Sequence, residues 1–283
     1  MATFTNKATL SYNGRTTDSN TVTGTFLETL AITKTANIDS YTGDSVLTYV
    51  VSIVNSGSAT FGGLTLTDDL GAYAFGGATL YPLEYMEGSL LYYVNGTLQP
   101  ALIPDTTEPL SVGGISVPAG GNAILVYSVN VGDTAPLDVD GEIVNTATVN
   151  GAGLPEPIEA SETVFTSDAP ELTITKELNP TVVSENGTIN YTFVIRNSGN
   201  TAAVATDDVV LTDLFDPVLA ITSVTLDGAP LTQTTDYTYN TLTGEFATVA
   251  GVITVPAATY TQNPDGSYTV IPGETTLVVV GTV

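Results

Sequence analysis

Residues 30–57, LAITKTANIDSYTGDSVLTYVVSIVNSG, recur without a gap at residues 172–199 as LTITKELNPTVVSENGTINYTFVIRNSG, so the chain is a tandem repeat with an offset of 142 residues. The first copy runs on into GEIVNTATVNGAGLPEPIEASETVF at residues 141–165, and nothing after the second copy matches that ending. The match lies instead at the N-terminus, in FTNKATLSYNGRTTDSNTVTG, residues 4–24. There Asn6, Ala8 and Leu10 stand against Asn145, Ala147 and Val149, and Ser19, Thr21 and Val22 against Ser161, Thr163 and Val164. The arrangement implies that one chain carries the missing end of the next.

Apolar residues alternate with polar ones at period two, and Asn13-Gly14, Asn95-Gly96, Asn150-Gly151, Asn186-Gly187 and Asp227-Gly228 punctuate the alternation. In the first copy this predicts strands near 29–35, 46–55, 63–68, 90–94, 123–131, 143–149 and 160–165, which suits an immunoglobulin-like sandwich. In the second it predicts 171–177, 188–196, 208–213, 222–227 and 275–283, with an extra hairpin between 235 and 271. Aligning Gly120 with Gly273 and Ile124 with Leu277 places Val283 opposite Asn130, two strands short of a complete domain. An uncovered core edge is an aggregation liability. The expected fold is therefore all-β: two tandem immunoglobulin-like β-sandwiches, the second completed in trans by an N-terminal donor hairpin. The expected boundaries are 1–26 for the donor strands, 27–168 for the complete sandwich and 169–283 for the acceptor, with GTFLET (24–29) and TSDAPE (166–171) as equivalent linkers. Phe4, Ala8, Leu10 and Val22 are the donor residues expected to bury in the neighbour.

Composition narrows the function. Five basic residues against 30 acidic ones give a net charge of −25, which argues against nucleic acid and anionic membranes as partners. The absence of cysteine and histidine removes disulfides, thiolate chemistry and the usual general base. No apolar run is long enough to span a membrane, and the start MATFTNKATL does not read as a secretory signal, so the export route stays open.

Lysine is rare, yet Lys34 and Lys176 occupy the same place in the two repeats. Strand parity puts Lys34 on the face of Leu30 and Ile32, and Lys176 on that of Leu172 and Ile174, so both point inward. Asp68 shares a face with Leu64 and Leu66, and Asp213 with Val209 and Leu211. Asn145 does so with Ile143, Ala147 and Val149, and Asn6 with Phe4, Ala8 and Leu10. A buried amine, a carboxamide and a carboxyl group are what a spontaneous isopeptide bond requires: lysine as nucleophile, the amide carbon as electrophile, the acid as proton relay. This predicts an intramolecular Lys34–Asn145 bond catalysed by Asp68, and an intermolecular Lys176–Asn6 bond catalysed by Asp213. The other reading of the same residues is a buried Lys-Asp ion pair hydrogen-bonded to asparagine, or a lysine that snorkels to solvent.

Other candidates are weaker. Asp68-Asp69, Asp207-Asp208 and the run from Asp138 to Glu142 could offer carboxylates to calcium but match no twelve-residue loop, and solvated acidic loops are the preferred reading. Tyr81, Tyr85, Tyr92 and Tyr93 could contact a sugar or simply cover the sandwich rim. No metal or cofactor is expected.

Ile-Thr-Lys, Gly-Asp-Ser-Val-Leu-Thr-Tyr (43–49), Val-Asn-Ser-Gly (54–57), Leu-Thr-Asp (66–68) and Val-Asn-Thr-Ala-Thr-Val (144–149) together resemble a bacterial and archaeal surface repeat, the domain of unknown function eleven. The second copy repeats Ile-Thr-Lys, Arg-Asn-Ser-Gly and Leu-Thr-Asp, with its Asn-x-Ala-Thr at Asn6 to Thr9. The resemblance implies an immunoglobulin-like repeat of long extracellular proteins, in which similar sandwiches carry Lys-Asn isopeptide bonds. The lack of a signal, a wall-sorting tail and further repeats departs from it and favours self-polymerisation. The expected function is a structural subunit of an extracellular, cell-surface or spore-surface fibre, a head-to-tail homopolymer with itself as partner and no enzymatic activity beyond autocatalytic crosslinking. The alternative is a two-domain adhesin or binding module engaging a protein or carbohydrate through loops at 70–88 or 101–118.

Overall fold

The computed structural model describes residues 3–25 and 29–283. The boundary expected between residues 26 and 27, and half of the GTFLET linker, lie outside the described residues.

The N-terminal segment contains β1 (Thr3–Asn6), β2 (Thr9–Tyr12), β3 (Arg15–Asp18) and β4 (Val22–Thr25). β1 pairs with β4 and β2 with β3, so the segment is one long antiparallel hairpin. Its tip is Asn13-Gly14 with φ of 47° and 77°, the two left-handed residues that a type I′ turn demands and that Asn and Gly tolerate best. Phe4 lies opposite Gly24, and Asn6 opposite Val22. In the first repeat Asn145 lies opposite Glu162, so the motif match predicts Asn20 opposite Asn6; the hairpin sits two residues away from that register. A shift of two keeps every side chain on its face, so Phe4, Asn6 and Val22 still share one side.

Besides that hairpin, the first compact unit contains β5 (Leu30–Ala36), β6 (Ser40–Tyr41), β7 (Val46–Asn55), β8 (Phe61–Asp68), β9 (Tyr73–Phe75), β10 (Ala78–Leu80), β11 (Leu83–Tyr85), β12 (Leu91–Val94), β13 (Thr97–Leu98), β14 (Thr106–Thr107), β15 (Leu110–Val117), β16 (Asn122–Val131), β17 (Glu142–Asn150) and β18 (Ile158–Thr166). One sheet runs β13-β12-β16-β7-β5 with β11 also on β16, and the other β14-β15-β8-β17-β18-β6. Alternation explains the two layers. Leu47, Tyr49, Val51 and Ile53 of β7 and Leu125 and Tyr127 of β16 are fully buried from one sheet, as are Leu64 and Leu66 of β8 and Ala147 and Val149 of β17 from the other. Each large side chain buried in this way stabilises the fold by about 1.5–3 kcal/mol. The stretch expected as loop at 101–118 is in part a strand: β15 inserts beside β8, bulging through Gly113-Gly114 where its register shifts. The glycines hid its alternation. The loop expected at 70–88 likewise holds the β9–β10 hairpin and β11.

The second unit contains β19 (Leu172–Asn179), β20 (Thr188–Asn197), a 3₁₀ turn at Ala205–Asp207, β21 (Thr212–Leu214), β22 (Ala220–Leu226), β23 (Ala229–Pro230), β24 (Tyr237–Tyr239), β25 (Glu245–Thr248), β26 (Thr259–Gln262), β27 (Tyr268–Ile271) and β28 (Gly273–Thr282). The sheet β19-β20-β28-β22-β23 repeats β5-β7-β16-β12-β13, and β21-β25-β24 repeats β8-β15-β14. Among the described residues nothing in this unit repeats β17 and β18. The consequence is exposure: Leu30 of β5 is 8% exposed, whereas Leu172 and Ile174 of β19 are 38% and 54% exposed. Phe193, Phe215, Phe246, Leu277 and Val279 build the core that remains. The strand expected at 208–213 is shorter, Thr212–Leu214, and the region between 235 and 271 holds two hairpins rather than one. No helix among the described residues is long and apolar enough to cross a membrane.

The repeated Asn-Ser-Gly has a structural reason. Asn55 is buried; its Nδ2 donates to the carbonyls of Ala59 (2.8 Å), Val117 (3.2 Å) and Pro118 (3.0 Å), and its Oδ1 accepts from Gly57 N (2.9 Å). Asn197 does the same with Thr201, Pro256 and Gly199. One amide thus ties a strand end to a loop and to a neighbouring strand. Asn55→Ala is expected to lower stability by about 2–4 kcal/mol, because several buried backbone groups lose their partner at once. Urea denaturation checks this, and an unchanged midpoint would refute the clasp.

Candidate functional site

Lys34 projects from β5 across the sandwich to the opposite sheet. Its Nζ lies 2.5 Å from Asp68 Oδ2 of β8, with both side chains 0% exposed, and 4.6 Å from the centre of the Tyr49 ring. The Tyr127 hydroxyl of β16 donates to the same carboxylate oxygen. Asp68 Oδ1 accepts from Leu70 N at 3.0 Å. Burial pushes the Lys34 amine below its ordinary pKa, against the opposing pull of Asp68.

Asn145 completes the group. Ala147 lies opposite Asp68 across the β8–β17 ladder, so Asn145, two residues along on the same face, enters the same layer. It is 0% exposed, and neither Oδ1 nor Nδ2 makes a hydrogen bond. The Tyr49 hydroxyl beside it is likewise buried without an aligned partner; burial raises its pKa, and its proximity to the Asn145 amide works in the opposite direction. A carboxamide with both polar atoms buried and unsatisfied costs about 1–3 kcal/mol per atom. A buried carboxamide without partners, in the layer that also holds Asp68, is a feature that stability alone does not explain.

The second unit reproduces half of this. Lys176 Nζ lies 2.5 Å from Asp213 Oδ2, but the lysine side chain is 41% exposed and the aspartate 17%. Asp213, Thr212 and Leu214 line an open cleft of about 630 Å³ with Glu245 and Phe246. The lysine amine lies over Tyr191, Phe193 and Phe215 at 4.5, 5.3 and 5.5 Å. The structure also corrects the alignment of the last strand. Tyr49 and Tyr191 are equivalent, and they pair with Tyr127 and Val279 respectively, so the offset between β16 and β28 is 152 and Leu277 matches Leu125, not Ile124. Gly120 and Gly273 had suggested an alignment one residue away, which at period two reverses the faces. Valine therefore stands where the first site has its tyrosine hydroxyl.

Asn6, the carboxamide expected to complete the second site, is exposed on β1, as are Phe4, Ala8, Leu10 and Val22. The hairpin's Lys7 forms an exposed 2.6 Å ion pair with Asp18 instead of entering a core. Tyr127, Tyr49 and the rings around Lys176 escaped the sequence reading. Tyr49 and Tyr191 were visible as a repeated pair at the offset of 142, but Tyr127 has no repeat to betray it. Among the acidic pairs, Asp68 is committed to lysine, and Asp207 closes its 3₁₀ turn by accepting from Val204 N at 2.7 Å. Among the described residues no group of three or more acidic side chains could hold a metal ion. Of the four tyrosines, Tyr92 is buried and its hydroxyl is clamped to Ser116 N and O, both at 2.9 Å.

No protein-family model and no curated protein matches the chain. Solved structures similar to it include the collagen-binding domain of a Staphylococcus aureus adhesin, at 14% identity over 48% of this chain and 97% of that one, TM-score 0.32. The pilus backbone RrgB of Streptococcus pneumoniae is similar at 12% identity over 89% and 49%, TM-score 0.34. BcpA, the major pilin subunit of Bacillus cereus, is similar at 13% over 96% and 73%, TM-score 0.36. None of the three supplies a functional residue to this chain.

The first site has a testable pH signature, measured in Asn145→Ala. Its folded pKa lies below the ordinary 10.5, so between the two values the unfolded chain binds more protons and stability rises with pH. Tyr49 and Tyr127 titrate above their ordinary 10.0, so past that pH only the unfolded chain ionises there and stability falls. Urea midpoints measured from neutral to strongly alkaline pH are expected to rise and then drop in this variant. A monotonic fall would mean that Lys34 is not desolvated.

Proposed function

We propose that the protein is a structural subunit of an extracellular or cell-surface fibre, in which the N-terminal hairpin of one copy supplies the two strands that the second unit of the next copy lacks. The observation that carries the reading is complementarity. The second unit leaves Leu172, Ile174 and Leu214 exposed around a Lys176–Asp213 pair, while the hairpin displays Phe4, Leu10 and Val22 at 48%, 62% and 56% exposure. Its Asn-x-Ala-Thr motif is the one that fills the equivalent place in the first unit. Strand donation combines main-chain pairing along β21 with burial of alternate side chains. On this reading residues 1–26 are the donor, 27–168 the complete sandwich and 169–283 the acceptor. A head-to-tail interface joins one surface to a different one, and where its repetition does not close into a ring it yields filaments.

The same reading assigns covalent bonds. In the first unit Lys34 gives a proton to Asp68, the neutral amine attacks Asn145 Cγ, the acid protonates the departing NH₂ so that ammonia leaves, and the carboxylate takes the remaining extra proton from the Lys34 nitrogen as the secondary amide forms. The costs noted above support the step: the new amide removes a buried charge and an orphaned NH₂ together. In the acceptor, Lys176 and Asp213 act on Asn6 of the incoming copy. Catalysis is confined to this single self-modification.

Wild-type monomer is expected to be lighter than its sequence mass by one ammonia, and Asn145→Ala to lack that deficit. Assembled protein boiled in detergent and reductant is expected to give a ladder that collapses to monomer in Asn6→Ala. Deleting residues 1–23 should abolish filaments altogether. Filaments that persist after the deletion would overturn strand donation, and a monomer that still binds a surface ligand would favour the adhesin reading. A hairpin that closes onto its own second unit would show as a crosslinked monomer without a ladder.

A further inference from the structure

Resting on the crosslinking reading, a comparison of the two lysine sites within this one chain identifies what the open acceptor adds. Lys176 pairs across its ladder with Phe193, where Lys34 pairs with Val51. Two residues after the aspartate stands Phe215, where the first unit has Leu70. Tyr191 and Tyr49 are the same in both. The acceptor thus replaces two aliphatic side chains by phenyl rings, both within 5.5 Å of the amine, while the complete unit keeps only the tyrosine ring at 4.6 Å.

The difference follows what each lysine lacks. Lys34 is confined by a closed core on every side. Lys176 stands on an edge strand, 41% exposed, with no strand over it among the described residues. A lysine in that position has four freely rotating bonds and a strong pull toward water. Aromatic faces attract the ammonium without neutralising it, and they fix it in space. Phe215 is itself held by Tyr191, Phe246 and Tyr239 at centroid distances of 4.9, 5.8 and 6.2 Å, so the cradle is rigid before any donor arrives.

We infer that Phe193 and Phe215 are positioning residues of the acceptor: with Tyr191 they hold the Lys176 amine over the cleft beside Asp213 until the donor strand of a second copy brings Asn6 against it. The step they serve is balanced as lysine ammonium plus carboxamide giving the secondary amide plus ammonium. Before docking, the amine rests against Asp213 with no carboxamide beside it among the described residues. Docking removes water and lets Asp213 take the proton, so chemistry waits for assembly. The first site, closed from the moment it folds, needs no such cradle.

The test uses full-length acceptor carrying Asn6→Ala, which cannot crosslink through its own hairpin, mixed with a synthetic peptide of residues 3–25. Covalent adduct is followed by intact mass, and docking by fluorescence anisotropy with the peptide's own Asn6→Ala form. Phe193→Leu and Phe215→Leu acceptors are expected to dock the peptide as before and to form adduct about three- to tenfold more slowly. Equal rates would overturn the inference and leave the crosslinking reading intact. No adduct with the native rings would overturn both. Because either substitution could disturb the core, the second readout needs none: in freshly purified wild-type monomer the Lys176 ε-methylene NMR signal is expected to be shifted upfield by ring currents relative to Lys7, and an unshifted signal would overturn the cradle directly.

Discussion

A cation inside a sandwich is the constraint around which this chain is organised. Lys34 is placed inward by strand parity, and a lone ammonium there would be too costly to keep. Asp68 answers it from the opposite sheet, Tyr127 binds the same carboxylate, and Asn145 lies in the same layer with its amide unsatisfied. An ion pair of this kind is poor value as a stabilising device, since well-packed apolar residues would serve the core as well or better. The same strand positions carry a Lys-Asp pair in the second repeat, where it lies open to solvent.

The two repeats act as a controlled comparison. They share an edge lysine, a facing aspartate, a tyrosine beneath the amine and an asparagine clasp at the loop. They differ in the strands that cover the site. Where β17 and β18 are present, the lysine is dry and its pKa falls. Where no equivalent is found among the described residues, the lysine is half in water, the apolar side chains of β19 are uncovered, and additional aromatic rings surround the amine. The hairpin at the N-terminus has the composition of the missing pair and none of its burial. Its folded form is a two-stranded hairpin held by an Asn-Gly turn and a solvent-screened Lys7–Asp18 pair.

Much of this was legible before any coordinates, because a sheet translates sequence into space by a simple rule. Period-two alternation gave most strands and their inward sides, and that alone brought Lys34, Asp68 and Asn145 to one interior; the repeat offset extended the inference to Lys176 and Asp213, which meet, and to Asn6, which lies exposed on its hairpin. β15 was lost because Gly113-Gly114 interrupts its alternation with a bulge, and the β16–β28 equivalence slipped by one because glycines, rather than a buried face, were used to align it.

Parity is a property of one strand, so the linear order of residues decided the fold class, the repeat, and which side chains face inward. It could not decide what meets them there, since that depends on the facing sheet. The Tyr127 hydroxyl on Asp68, the orphaned amide of Asn145 and the Phe215 ring over Lys176 come from residues distant in the chain. So does the contrast between a sealed lysine and an open one, which arises only when two layers close over one site and leave the other uncovered.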